Sequence, residues 1–170
     1  MSKKKKAIAK TAPMRVLEEK GIPYEYHQHQ HKQFTAEGVA QDLGVPLAVV
    51  VKAMIVRRSR TASPTDSEFA LVVIPGDKRL SLKKVGAALG DKDVKLASER
   101  DAQRVTGFQI GAVSVIGFRR SNVPGYVDRR VLELDRVIIS AGNPKAGLGL
   151  TSQDLLKAID GAQVGDFCEG

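Results

Sequence analysis

The chain has 170 residues, of which 42% are hydrophobic, enough to bury one sizeable core and too many for a disordered chain. Aromatics make up only 5% and Trp is absent, which argues against a platform of base-stacking rings and leaves the core to Val, Ile, Leu and Ala. The net charge is +8, but Lys3, Lys4, Lys5, Lys6 and Lys10 supply five of those charges, so the rest of the chain carries only +3.

Residues 1–12 therefore read as a basic, disordered tail and residues 13–170 as one domain. The tail either steers the chain toward polyanions or serves only to keep it in solution. Cys168 is the single cysteine. It cannot form an internal disulfide, which fits a reducing cytoplasm, and its place near the C-terminus argues against a catalytic role. No apolar stretch approaches the ~20 residues of a membrane span. The leading lysines are not followed by the long apolar run of a secretory signal. The expectation is a cytoplasmic chain with no membrane partner.

In chain order, residues 11–20 predict a helix stopped by Gly21 and Pro23. Residues 24–31 alternate and predict an extended segment. Thr35 has the character of an N-cap for a helix carrying Val39, Ala40 and Leu43 inward and ending at Gly44. Pro46 starts a short turn. Residues 54–57 and 69–74 predict strands, joined by a polar surface loop over 58–68. Pro75-Gly76-Asp77 is a turn. Residues 82–89 predict an amphipathic helix, 94–96 a short strand, and 98–105 a helix ending at Gly107. A glycine-punctuated stretch follows, with strands predicted over 113–116, 126–128, 131–134 and 137–140, and a last helix over 154–159. Short strands mixed with short helices point to an α/β or α+β domain around a mixed sheet or barrel.

Lys52 stands out, within Val49-Val50-Val51-Lys52-Ala53-Met54-Ile55-Val56. An unpaired ammonium in such a run costs several kcal/mol, as a rough estimate, unless it reaches water or meets an anion. The residues alone leave both readings open: a snorkelling strand lysine, or a compact cation for phosphate or developing negative charge. His27, His29 and His31 alternate and would share one face of a strand. Their spacing of about 6.5–7 Å disfavours convergence on one metal ion. Gly111-Ala112-Val113-Ser114 is not the G-x-S-x-G nucleophile elbow. Gly147-Leu148-Gly149 is too short for a dinucleotide fingerprint, and no P-loop is present. The glycines from Gly107 to Gly117 either make turns between strands or free backbone N–H groups to face a carbonyl that becomes an oxyanion.

Several motifs then fall in a recognisable order. These are Thr35-Ala36-Glu37-Gly38-Val39-Ala40-Gln41-Asp42-Leu43-Gly44-Val45-Pro46, Val51-Lys52-Ala53-Met54, Val73-Ile74-Pro75-Gly76-Asp77 and Leu80-Ser81-Leu82-Lys83-Lys84. Arg104-Val105-Thr106-Gly107-Phe108, Gly111-Ala112-Val113-Ser114 and Val127-Asp128 follow. Over roughly residues 14–160 the chain resembles the YbaK family, editing domains related to the insertion domain of bacterial prolyl-tRNA synthetase. The resemblance implies a compact α/β domain with a mixed, barrel-like sheet flanked by helices. It implies metal-independent, cofactor-free hydrolysis of the ester in mischarged tRNA, most directly Cys-tRNA(Pro) or another small amino acid. Prolyl-tRNA synthetase is then an expected partner. It implies catalytic roles for Lys52, Gly111 and Ser114, with Lys52 on the terminal phosphate and the Gly111 loop shaping the amino-acid pocket. It implies substrate contacts at His31, Thr35, Ala53, Ala112, Asp128 and Gly142. The chain departs from the family where Ala53 replaces a common Thr, and where Gly111-Ala112-Val113-Ser114-Val115 replaces Gly-Gly-x-Ser-Pro. Those changes imply a retuned pocket. The alternatives are a non-catalytic module of the same fold that binds tRNA or a synthetase, and a metal-dependent hydrolase built on the histidines.

Overall fold

The computed structural model describes residues 9–30, 34–59 and 67–170. Local rules account for its helices: α1 (Ala12–Glu19), α2 (Ala36–Leu43), α3 (Leu82–Leu89), α4 (Glu99–Thr106) and α5 (Ser152–Ala158). Four start at a hydroxyl that accepts a backbone N–H three residues on. The pairs are Thr35 with Gly38 at 3.2 Å, Ser81 with Lys84 at 3.2 Å, Ser98 with Asp101 at 3.1 Å and Thr151 with Asp154 at 3.1 Å. Each satisfies a donor that the first helical turn would otherwise orphan.

The strands are β1 (Glu25–Gln28), β2 (Lys52–Arg57), β3 (Phe69–Ile74), β4 (Lys95–Leu96), β5 (Gly125–Asp128), β6 (Arg136–Ser140), β7 (Ala146–Thr151) and β8 (Gln163–Gly165). They form a three-stranded sheet ordered β1-β7-β6 and a five-stranded sheet ordered β4-β2-β3-β5-β8. The first is antiparallel, whereas the second is mixed, since β5 runs parallel to β3 and β8 parallel to β5. All six residues of β3 are buried. Leu71 and Val73 enter the main core, and Ala70, Val72 and Ile74 enter a second cluster with Val85, Tyr126 and Phe167.

The sheet does not close as a barrel. The two sheets meet through one parallel bridge between Val50 and Ile138, with Val51 N–H donating to the Ile138 carbonyl at 3.1 Å. Residues 113–116 form no strand, because the glycines around them bend the chain and Ser114 is tied to another segment. Residues 131–134 also form no strand; they lie mostly in a 3-10 turn over Arg129–Glu133, capped by the Asp128 side chain. Two strands went unforeseen. In β7 the glycines mask the strand signal, yet they are what the packing needs: a Cβ on Gly147 would lie 2.8 Å from Ile138 Cγ2. β8 is only three residues long. Of the expected basic tail, residues 1–8 lie outside the described residues, and Lys10 is drawn to Glu18 of α1 at 3.1 Å. Most of the expected polar loop, residues 60–66, also lies outside them.

Candidate active site

Lys52 opens β2 and is half-buried. Its Nζ donates to the Lys78 carbonyl at 2.9 Å. That carbonyl belongs to the turn after β3, where Gly76 N–H donates to Ala48 O at 3.2 Å. A Cβ at Gly76 would lie 2.3 Å from both Leu47 O and Val50 O, so only glycine lets this turn close over the start of β2. Lys52 therefore neither snorkels freely nor forms a salt bridge. Among the described residues it has one carbonyl partner and no carboxylate. An ammonium has three N–H donors, so two remain for a ligand.

The Gly111 loop is held by its own main chain. Gly111 adopts φ +87°, in the left-handed region that favours glycine. Its carbonyl accepts Phe34 N–H at 2.7 Å. The Ser114 side chain is fully buried and its Oγ donates to Ser140 O at 2.5 Å. Ser140 Oγ in turn donates to Ala112 O at 2.8 Å and accepts Gly142 N–H at 3.1 Å. This closed set fixes the loop against the end of β6. The N–H groups of Gly111 and Val113 have no partner among the described residues, and both residues are partly exposed. Fixed, free N–H groups are the donors that an ester carbonyl needs as it gains negative charge.

Two connections bring these parts together. The parallel bridge sets Val50 beside Ile138, and two residues further along the same direction are Lys52 and Ser140. The segment before α2 also spans the gap: Phe34 bonds Gly111, and the Ala36 Cβ lies 3.1 Å from where a Gly76 Cβ would stand. Lys52, the turn of residues 75–78, the start of α2 and the Gly111 loop thus border one region. Gly142 is tied to the Gly111 loop through Ser140 Oγ. It has φ +86°, and a Cβ there would lie 2.9 Å from Phe108 Cε1.

The other expected site residues have structural duties. The Ser114 hydroxyl is a buried donor to a carbonyl and is not presented as a nucleophile. Thr35 Oγ1 caps α2. Ala53 packs against the main core, and the Ala112 carbonyl is occupied by Ser140. Asp128 is level with Ile74 and Lys52 across β5, β3 and β2, roughly 10 Å from the lysine strand at ~4.8 Å per strand. Its carboxylate is fully buried. It accepts Arg130 N–H at 2.9 Å and Phe167 N–H at 2.8 Å, with Arg130 Nη1 at 3.3 Å. Asp128 therefore fastens the C-terminal segment. His31 lies outside the described residues.

The same fastening includes Asp166, which takes Arg130 at 3.0 Å and Lys84 at 3.1 Å. Arg130 first, then Lys84, hold its carboxyl down to about 2. Burial, followed by the nearby Asp128, pushes the Cys168 thiol up to about 12. A thiol protonated at neutral pH is no nucleophile. His27 stands 3.8 Å from Glu25, and His29 is buried edge-on to Phe34 at 5.8 Å. Sequence reasoning missed the Lys78 carbonyl and the Phe34 N–H, since main-chain groups leave no residue signature.

Comparison with known proteins settles the family. The family model described as the aminoacyl-tRNA editing domain matches residues 31–158. The chain belongs to this family. A relative in Enterococcus faecalis named EbsC, a candidate Cys-tRNA(Pro)/Cys-tRNA(Cys) deacylase, is 29% identical over 93% of both chains. The proline–tRNA ligase of Thiobacillus denitrificans is 29% identical over 94% of this chain, but the match spans only 26% of the ligase. This editing-domain chain thus corresponds to about a quarter of that enzyme. Among solved structures, a candidate trans-editing enzyme for prolyl tRNA synthetase superposes with a TM-score of 0.80 at 28% identity, covering 96% of this chain and 100% of that one.

Proposed function

We propose that this chain hydrolyses the ester bond of mischarged tRNA in trans, with Cys-tRNA(Pro) or another small aminoacyl ester as substrate. The observation that carries this reading is Lys52: a half-buried ammonium oriented by one main-chain carbonyl, with no carboxylate partner among the described residues, beside a glycine loop whose N–H groups are free among those residues. An aminoacyl ester is already activated, so orientation and charge stabilisation suffice and no strong nucleophile is needed. Lys52 holds the phosphate of the terminal nucleotide. The Gly111 and Val113 N–H groups polarise the ester carbonyl. Water, ordered by the substrate's ribose hydroxyl, attacks; the tetrahedral intermediate collapses with loss of the ribose oxygen, which takes up a proton. The buried hydroxyl of Ser114 and the neutral thiol of Cys168 both support a route without an acyl-enzyme.

Prolyl-tRNA synthetase is the expected partner in this reading, and the cytoplasm its place of action. The test is deacylation of a panel of Cys-, Ala-, Ser- and Pro-tRNA by the wild type and by Lys52→Ala. Hydrolysis of at least one ester by the wild type and its loss in Lys52→Ala are expected. Binding of tRNA without turnover of any ester would leave instead a non-catalytic tRNA-binding module.

A further inference from the structure

Away from Lys52, three arginines gather on one aromatic ring. The guanidinium carbons of Arg57, Arg104 and Arg120 lie 6.0, 5.8 and 6.0 Å from the ring centroid of Phe69, which is only 1% exposed. They come from three elements. Arg57 ends β2 and Arg104 lies in the last turn of α4. Arg120 is placed by its own N–H, which donates to Val105 O at 3.2 Å, while its neighbour Arg119 donates to Thr106 O at 3.0 Å. The ring acts as a wall that orients planar guanidinium groups with little further loss of freedom.

Charge at this point is not balanced. Arg57 takes Glu68 at 3.0 Å and Asp101 at 3.3 Å, and Arg104 shares Asp101 at 3.0 Å. Arg120 pairs with no carboxylate among the described residues. Beside Arg57 a cleft of about 330 Å³ adds Arg58 and Lys95 against Asp93. Among the described residues five cations thus face four carboxylates, since Asp91 also reaches the cleft through Ser59 at 2.7 Å. Gathering like charges costs free energy that an external anion relieves. A composition of arginines suits phosphate, whose oxygens match the guanidinium fork.

We infer that the Phe69-backed arginines bind the phosphodiester backbone of the tRNA whose 3′ end is held at Lys52; this rests on the deacylase reading. Lys52 and Arg57 are the two ends of β2, about 17 Å apart at ~3.3 Å per residue. Five residues apart, they project from opposite faces of the strand, so the link between site and patch runs instead through the chain that joins the Gly111 loop to Arg120. The segment from Gly107 to Arg120 also carries the Gly111 loop and the patch on one stretch of chain, so both are fixed to the same frame.

The test compares full mischarged tRNA with a minimal 3′-aminoacyl-adenosine 5′-phosphate ester, too short to reach the patch, using the full chain. In Arg104→Gln/Arg120→Gln the ratio of kcat/KM on tRNA to that on the minimal ester should fall about tenfold. The slope of log affinity for uncharged tRNA against log salt should shrink by about 1.5, since each lost phosphate contact removes ~0.7–0.9. Arg104→Lys/Arg120→Lys keeps the charges and should restore the slope. An unchanged ratio and slope in the folded Gln variant would overturn the inference, as would a folded Lys variant that fails to restore the slope. Competition by polyglutamate as effective as tRNA at equal charge would assign the patch to an acidic protein and overturn it too. If the wild type hydrolyses no ester yet the tRNA slope responds as stated, the deacylase reading falls and the phosphate patch stands.

Discussion

Lys52 and Lys84 both donate to a main-chain carbonyl, at 2.9 Å to Lys78 O and 2.7 Å to Cys168 O. Their surroundings differ in kind. Lys84 also holds Asp166, which is shared with Arg130, and Arg130 in turn holds buried Asp128. Lys84, Arg130, Asp128 and Asp166 answer one another, and their work is to fasten β8 and the last residues to α3 and β5. At Lys52 the described residues supply one carbonyl and no acid. Identical chemistry thus becomes structure where acids are present and leaves donors open where they are withheld.

The strongest way to break this contrast is to remove each lysine. Lys52→Ala should lower kcat/KM on mischarged tRNA by about a hundredfold or more with an unchanged melting temperature. Lys84→Ala should lower the melting temperature and leave hydrolysis near wild type. Equal loss of activity in both, with equal loss of stability, would erase the distinction. Next in size, Asp128→Ala leaves the main-chain N–H groups of Arg130 and Phe167 unanswered and should cost about 3 kcal/mol in denaturant unfolding. A small stability change with a large loss of turnover would return Asp128 to the substrate. Ser114→Ala orphans the Ser140 carbonyl and should cost about 1–2 kcal/mol, with the hydrolysis rate within about threefold of wild type; a collapse in rate at intact stability would restore a nucleophilic serine.

The smallest expected effect is a pH dependence at the fastened end. Because Asp166 titrates at about 2 in the fold, below the ordinary 3.8, its ionised form is the stabilising one. That contribution is complete above pH ~4 and is lost as pH falls from about 4 toward 2. Urea midpoints measured across this window should drop in the wild type and drop less in Lys84→Ala. Parallel curves would detach Asp166 from stability.

Most helices were legible in the sequence because capping is local: Thr35, Ser81-Leu82 and Ser98 announce their helices, and Gly44 and Gly107 end them in the left-handed conformation. Strand β3 was legible as an unbroken apolar run. β7 was not, since Gly147 and Gly149 are chosen for what crosses above them, a fact about Ile138 and His27 far away in sequence. Lys52 was legible because a charge in an apolar run is costly anywhere. Its partner was not, because a carbonyl of Lys78 has no letter of its own. The structural bonds of Ser114 and Asp128 were not legible. Their side chains satisfy buried main-chain groups brought near only by folding.

The region around Lys52 is assembled largely from main-chain atoms: the Lys78 and Gly111 carbonyls, and the N–H groups of Gly111 and Val113. Such a site can drift in sequence while its geometry persists, because most replacements alter atoms that point elsewhere. Identity near 28% with a TM-score of 0.80 against a solved relative is the signature expected of that architecture. That tolerance ends where the backbone itself cannot yield, as at Gly76, where any Cβ would collide with two carbonyls.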